Sequence, residues 1–275
     1  MKLNIAVVQF SIDQFAPEHN LKRAEQFIRA AANQAQIIVF PEDFLTGPIN
    51  GEKRFADYEH CYLAQCQKLA ATYGIDIVPG SIIEGDNAGL YNTTYYIDKT
   101  GTVRGRYRKV NLWIPERDHI TPGNEISVFQ TNYGKVGLMI CWDLIFPEVF
   151  RAMVKQGVQI VICPSYWCFE DAGVGMQHDA QAEIKLVNAL CVSRAFENEV
   201  MLVYSNAAGA GKSIESGEEH LIGQSQITVP FKGALTVLNH THEEMFIQEV
   251  DLDILNDAEQ AYQIRNDLQT RISGC

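Results

Sequence analysis

Three side chains stand where their types could carry acyl-transfer chemistry: Cys141, Glu42 and Lys109. Cys141 ends the apolar run of VGLMICWDLIFPE, residues 136 to 148, and Pro147-Glu148 after it read as the first turn of a helix. A thiol at a strand end, close to backbone N–H groups and a helix start, is placed for nucleophilic attack. The plainer alternative is a buried free cysteine acting as a small hydrophobe. Glu42 follows a second apolar run in FPEDF, at a carboxyl strand end where α/β proteins open a crevice, or else it caps an exposed turn. Lys109 closes an expected hairpin, where Tyr107-Arg108-Lys109 also reads as a solvated basic face.

Other chemistry-bearing patterns are weaker. Residues 209 to 213, GAGKS, resemble the tail of a phosphate loop, but Asn206 stands where the first glycine is required. His240 and His242 offer two metal ligands with no third in view, so a turn is expected and no metal is assigned. Asn92-Thr-Thr94 has the form of a glycosylation sequon, which carries no meaning in a cytosolic chain.

The elements that must position these groups alternate. Leu3 to Phe10 is a near-continuous apolar run, expected as a strand buried on both faces. Pro17-Glu18 open a helix whose Leu21, Ala24, Phe27, Ile28 and Ala31 recur at helical spacing, and Ile37 to Phe40 is a second buried strand. Strand, helix and strand make a parallel βαβ unit. Further on, the pattern predicts a helix over 59–73, a strand over 75–83, a hairpin of 91–97 with 103–108, and a strand pair of 127–130 with 135–140. Beyond these come a helix over 149–156, a strand over 158–163, a helix over 177–197, a strand over 201–205 and a hairpin of 224–229 with 234–238. The reading is one layered α/β domain, residues 1–275, in which two sheets carry helices on their outer faces.

Composition narrows the classes. A formal net charge of -12, with no local Lys/Arg run, argues against a nucleic-acid surface. No apolar segment reaches membrane-spanning length and the N-terminus lacks a signal-peptide pattern, so no membrane partner and a cytoplasmic location are expected. Seven cysteines, an odd set, read as free thiols of a reducing compartment.

Taken in chain order, these motifs resemble the carbon–nitrogen hydrolase (nitrilase) superfamily over nearly the whole length. The resemblance runs through FPEDF, YRKVNLWIPE, the TPG of residues 121 to 123, GLMICWDLIFPE, RAFEN from Arg194 to Asn198, Ser205-Asn206 and GQSQITVPFKG. It implies a four-layer αββα sandwich, a homodimer, no cofactor, and a Glu-Lys-Cys triad acting on a small molecule. Cys141 would be the nucleophile, Glu42 the general base and acid, and Lys109 the cation that steadies the tetrahedral intermediate. Glu116 would position the substrate and the backbone N–H of Trp142 would join Lys109 at the oxyanion. Asp143, Glu148, Arg151, Arg194 and Glu197 read as structural, with Glu148 and Arg151 spaced for a helix-surface pair.

Cys-Trp-Asp, with Asp143 in place of glutamate, looks more like amidase and carbamoyl-hydrolase branches than true nitrilases. Hydrolysis of a linear amide is therefore expected first, of an N-carbamoyl amine second and of a nitrile third. Specificity is expected in 43–58, 112–125 and 165–176; the last holds the candidate pocket residues Tyr166 and Trp167 with Phe169, Glu170 and Asp171. Its two acids would favour a cationic tail, unless the segment is simply a solvated loop. A catalytically silent binding protein and an acyltransferase on the same fold are the readings from other classes.

Overall fold

A computed structural model describes residues 1–213 and 217–270. The first half runs β1 (Lys2–Gln9), α1 (Pro17–Ala31), β2 (Ile37–Val39), α2 (Cys61–Tyr73), β3 (Asp76–Val78), β4 (Ile82–Asp86), β5 (Gly89–Ile97) and β6 (Val103–Arg108). The second runs β7 (Ser127–Thr131), β8 (Gly134–Leu138), α3 (Pro147–Lys155), β9 (Ile160–Ser165), α4 (Ala182–Asn198), β10 (Met201–Asn206), β11 (Ala210–Ser213) and β12 (Gly217–His220). After these come β13 (Gln226–Val229), β14 (Gly233–Val237), β15 (Glu244–Asp251), α5 (Asp253–Tyr262) and α6 (Ile264–Thr270). Cys275 lies outside the described residues.

One sheet has the order β15-β1-β2-β3-β5-β4 with β6 on β5, and the other β14-β13-β10-β9-β8-β7. Both are parallel at the centre, β1-β2-β3 and β8-β9-β10, and antiparallel at the flanks. The unbroken apolar run of β1 is explained by its two faces. Leu3, Ile5 and Val7 pack between the sheets, whereas Ala6, Val8 and Phe10 pack under Leu21, Ala24 and Ile28 of α1. With α1 and α2 on one outer face and α3 and α4 on the other, the layers are αββα.

Several expectations shift. The single strand over 75–83 is two, β3 and β4, because Pro79 and Gly80 break it. Gly80 has φ +57°, and a Cβ there would lie 1.8 Å from the Pro41 carbonyl oxygen, so only glycine lets this chain pass the FPEDF segment. The helix over 177–197 starts later, at Ala182, after short 3-10 turns over Phe169–Gln177 that meet at Gly173. Arg151 donates to the Glu197 carbonyl and to Asn198 Oδ1 on α4, so the helix-surface pair with Glu148 gives way to an inter-helix tie. The C-terminal β15, α5 and α6 carried no strong periodic signal; β15 extends the first sheet against β1 in full register.

Just past α4, the Glu199 carboxyl faces that of Glu259 on α5. Glu199, fully buried, has its carboxyl pushed up to about 7, first by burial and then by a hydrogen bond with Glu259, against the Ile264 N–H that favours the charged form. The folded chain thus holds a proton that the unfolded chain releases near 4.5. This contribution is complete below about 4.5 and is lost as the pH rises through about 7. Melting temperature against pH should fall less steeply across that window in Glu199→Gln than in the wild type; parallel curves would show that Glu199 does not hold the proton.

Candidate active site

The site forms where strand ends of the two sheets meet. Glu42 lies just past β2, Lys109 follows β6 directly, Cys141 lies just past β8 and Tyr166 follows β9. The Glu42 N–H donates to the Ser165 carbonyl at 3.2 Å, tying one sheet's edge of the site to the other's. Lys109 is held through its own N–H to the Asn92 carbonyl, 2.8 Å, and receives the Gly123 N–H, 2.8 Å.

Cys141 opens a 3-10 turn, Cys141–Ile145, inserted before α3 begins at Pro147. Its φ is +46°, a left-handed conformation that a non-glycine residue adopts only when its surroundings enforce it. Asp143 supplies the enforcement. Its carboxylate accepts the Ile140 N–H (3.1 Å), the Asn111 N–H (2.9 Å) and Nδ2 (2.8 Å), and the Tyr107 hydroxyl (2.8 Å). Arg194 reaches over from α4, donating to the Leu144 and Ile145 carbonyls at 3.2 and 2.7 Å, and so holds the far end of the turn. Trp142 is the second residue of that turn, a position whose N–H has no helical acceptor.

Lys109 Nζ, almost wholly buried, lies 2.8 Å from Glu42 Oε1 and 2.6 Å from Glu116 Oε2. Asn92 Nδ2 bridges the same two carboxylates, 2.8 Å to Glu42 Oε1 and 3.0 Å to Glu116 Oε1. Glu42 Oε2 accepts the Tyr166 N–H at 2.9 Å, and Glu116 Oε2 also accepts the Trp113 N–H at 2.7 Å. Asn92 was visible in the sequence only as a sequon; the register of β5 is what brings it between the two acids.

Burial and the charges present set the protonation states. Burial raises the Glu42 carboxyl, opposed by the Lys109 ammonium, which moves it toward the range useful for taking and returning protons near neutrality. Burial alone would discharge Lys109, but Glu116, Glu42 and Cys141 together hold it well above the usual lysine range, so it stays an ammonium. The Cys141 thiol is driven well up by burial and then by the Glu42 charge, with Lys109 opposing. At rest it is a thiol, and its proton has Glu42 as a neighbour.

A cavity of about 740 Å³, its open mouth included, leads to Cys141. The three segments expected to carry specificity all reach it, through Pro48, Ile49 and Asn50, through Trp113, Pro115 and His119, and through Tyr166, Trp167 and Asp171. Trp142 packs between Trp113 and Trp167, at 4.3 and 5.6 Å between ring centroids. Trp167 is fixed by its Nε1–H to Glu183 (2.6 Å) and its N–H to Asn206 Oδ1 (2.8 Å). Glu170 departs from expectation: it binds the N–H and Nδ1 of His220 at 2.9 and 2.8 Å, and among the described residues it does not line the cavity. Asp43 and Glu219, not singled out in the sequence, do.

The histidine pair also differs from expectation, because Glu244 joins His240 and His242, 2.9 and 3.6 Å from their Nε2 atoms. Their rings stack at 3.4 Å between centroids and 9° between planes. Two parallel ring planes share no point at which one ion would lie in both, the arrangement two imidazole ligands need.

A thiol, a carboxylate and an ammonium converging at the strand ends of an αββα sandwich are equipment for acyl transfer through a thioester. The profile of the carbon-nitrogen hydrolase family matches residues 4–260. Similar proteins include an N-carbamoylputrescine amidase of Arabidopsis thaliana, 31% identical over 90% of this chain and 86% of that one. A probable nitrilase of Schizosaccharomyces pombe is 29% identical, over 92% and 90%. Among solved structures, a Nesterenkonia amidase of the nitrilase superfamily superposes with a TM-score of 0.79 at 25% identity, covering 96% of each chain. The chain belongs to the carbon–nitrogen hydrolase family, and it is an amidase-type enzyme acting on carbon–nitrogen bonds. No described helix is long and apolar enough to cross a membrane.

Proposed function

We propose that residues 1–275 are a single hydrolase domain that converts a small linear amide to a carboxylic acid and ammonia through a thioester on Cys141. The observation that carries this reading is the buried contact of Lys109 with Glu42 and Glu116, set beside a cysteine held at positive φ. Cys141 Sγ attacks the amide carbon while its proton passes to Glu42. The oxyanion is held by Lys109 Nζ and the Trp142 N–H. Collapse breaks the carbon–nitrogen bond as Glu42 returns the proton to the leaving nitrogen, freeing ammonia and leaving the thioester. Water then gives a proton to Glu42 and attacks; the second collapse releases the acid, and Sγ recovers its proton from Glu42. Glu116 positions the substrate chiefly by holding Lys109 and Trp113.

The Cys-Trp-Asp signature places amides first, N-carbamoyl amines, the substrate class in the Arabidopsis relative's name, second, and nitriles third. Ammonia release from a panel of all three classes, run with the wild type and Cys141→Ala side by side, is expected to reveal an amide activity that vanishes in the variant. Equal release by both proteins would remove Cys141 from the mechanism, and silence across the panel would move weight to acyl transfer or a binding role.

The proposed assembly is a cytoplasmic homodimer. Its support is an exposed apolar strip of Val192 and Phe196 on α4, Phe231 between β13 and β14, and Tyr262 on α5, whose ring lies 5.1 and 5.4 Å from the two phenylalanines. Sedimentation velocity should give twice the chain mass for the wild type and less for Phe196→Glu; a monomeric wild type would reject the dimer.

A further inference from the structure

One wall of the cavity joins two distant segments. Tyr166 to Asp171 runs beside β12 through an antiparallel bridge of Cys168 with Leu221 and the clasp of Glu170 on His220. With Glu170 turned to His220, Asp171 and Glu219 are the acids this wall presents to the cavity. Asp171 Oδ2 accepts the Cys168 N–H at 2.8 Å, which sets the carboxyl's place at the cavity wall.

The described charges that act most strongly on Asp171 are negative. Its carboxyl is pushed up to about 7, first by burial and then, against the Cys168 N–H, by the charges of Glu219, Glu183 and Glu42. Among the described lining residues, Lys109 is the only lysine or arginine, and it already faces Glu42 and Glu116. His119, the other basic side chain of the lining, is held toward its neutral form by burial. The same lining carries the apolar side chains Ile49, Ile83, Pro115, Ile120 and Trp113. An extended chain of methylenes suits such a lining. A carboxylate at its far end would be repelled by the acids there, and an ammonium would be attracted.

We propose that this cavity selects short linear amides whose far end carries an ammonium or guanidinium group, and that Asp171, with Glu219 beside it, is the residue that selects them. The inference rests on the hydrolase reading above. It makes the enzyme one that takes the amide of an ω-amino acid and releases the free zwitterionic amino acid. The reaction that supplies it must generate a primary amide on a chain that already bears an amine.

Three amides of nearly equal length separate the possibilities: the amide of δ-aminovaleric acid, hexanamide, and the monoamide of adipic acid. At a pH near 8, where Asp171 is ionised, kcat/KM should fall in that order, the cationic amide leading the neutral one by about tenfold or more. Asp171→Asn, which keeps an acceptor for the Cys168 N–H, should bring that ratio to near one, mostly through KM. Glu219→Gln, which leaves the Cys168 contact untouched, should lower it by a smaller factor. Cleavage of all three amides without preference, or a ratio unmoved by both variants, would overturn the tail assignment and leave the hydrolase reading standing. Absence of cleavage of every amide would overturn the hydrolase reading and this assignment with it.

Discussion

Lys109→Ala is expected to lower turnover by about two to three orders of magnitude, the usual effect of deleting one oxyanion donor. The loss has two parts. The oxyanion keeps the Trp142 N–H but loses the ammonium. Glu42 and Glu116 lose the cation that opposes their desolvation, so the Glu42 carboxyl, already raised by burial, rises further and is less often in the basic form. The pH at which the residual activity half-develops should therefore move upward. Unpairing buried charges also costs stability, of order 3–5 kcal/mol. Turnover is accordingly read on protein shown by thermal melting and circular dichroism to be folded, with Lys109→Met, which refills most of the volume, as the second variant. Folded protein of either variant within about tenfold of wild-type turnover would remove Lys109 from the chemistry.

Glu42→Gln should be nearly as damaging, and in a more informative way. The amide oxygen still accepts from Lys109 and Asn92, while its NH2 replaces the oxygen that accepts the Tyr166 N–H, so folding is checked by thermal melting; the amide takes no proton from Cys141 or from water. With an ordinary amide, both half-reactions stall and turnover should drop by about two to four orders of magnitude. An activated ester of the same acid departs without needing a proton, so acylation is partly restored while hydrolysis of the thioester is not. Intact-mass spectrometry of Glu42→Gln exposed to such an ester should show one acyl group on Cys141 that persists for many wild-type turnover times. Rapid clearance of that adduct would assign the activation of water to another carboxyl of the cavity, Glu116, which shares Lys109 and Asn92 with Glu42, or Asp43, whose carboxyl burial holds well above the usual range.

These predictions draw unequally on sequence and structure. Elements such as β1, α1 and β2 were legible because their signal is local: an apolar run for a strand covered on both faces, and a 3.6-residue recurrence for a helix covered on one. The strand over 75–83 was misread because a Pro-Gly break inside an apolar run looks like continuity until the Pro41 carbonyl lies against Gly80. The C-terminal β15 was passed over because its residues are only half buried, so its alternation is weak, and its partner is β1 at the opposite end of the chain. At the site, the motif order was enough to nominate Glu42, Lys109, Glu116, Cys141 and the Trp142 N–H, each lying within a strand-end motif of a few residues.

What the sequence by itself determined, then, is the family, the layered α/β architecture and the residue types proposed for the chemistry, since all of these reside in short motifs and local periodicity. Only the tertiary structure decided that Asn92 stands between the two carboxylates, that Asp143 and Arg194 hold Cys141 in its elbow, and that Asp171, not Glu170, lines the cavity beside Glu219. Each of these depends on strand register and on segments tens of residues apart being brought side by side. Which way neighbouring acids such as Glu170 and Asp171 point is set by the partner that β12 supplies, and that partner has no local signature in the chain.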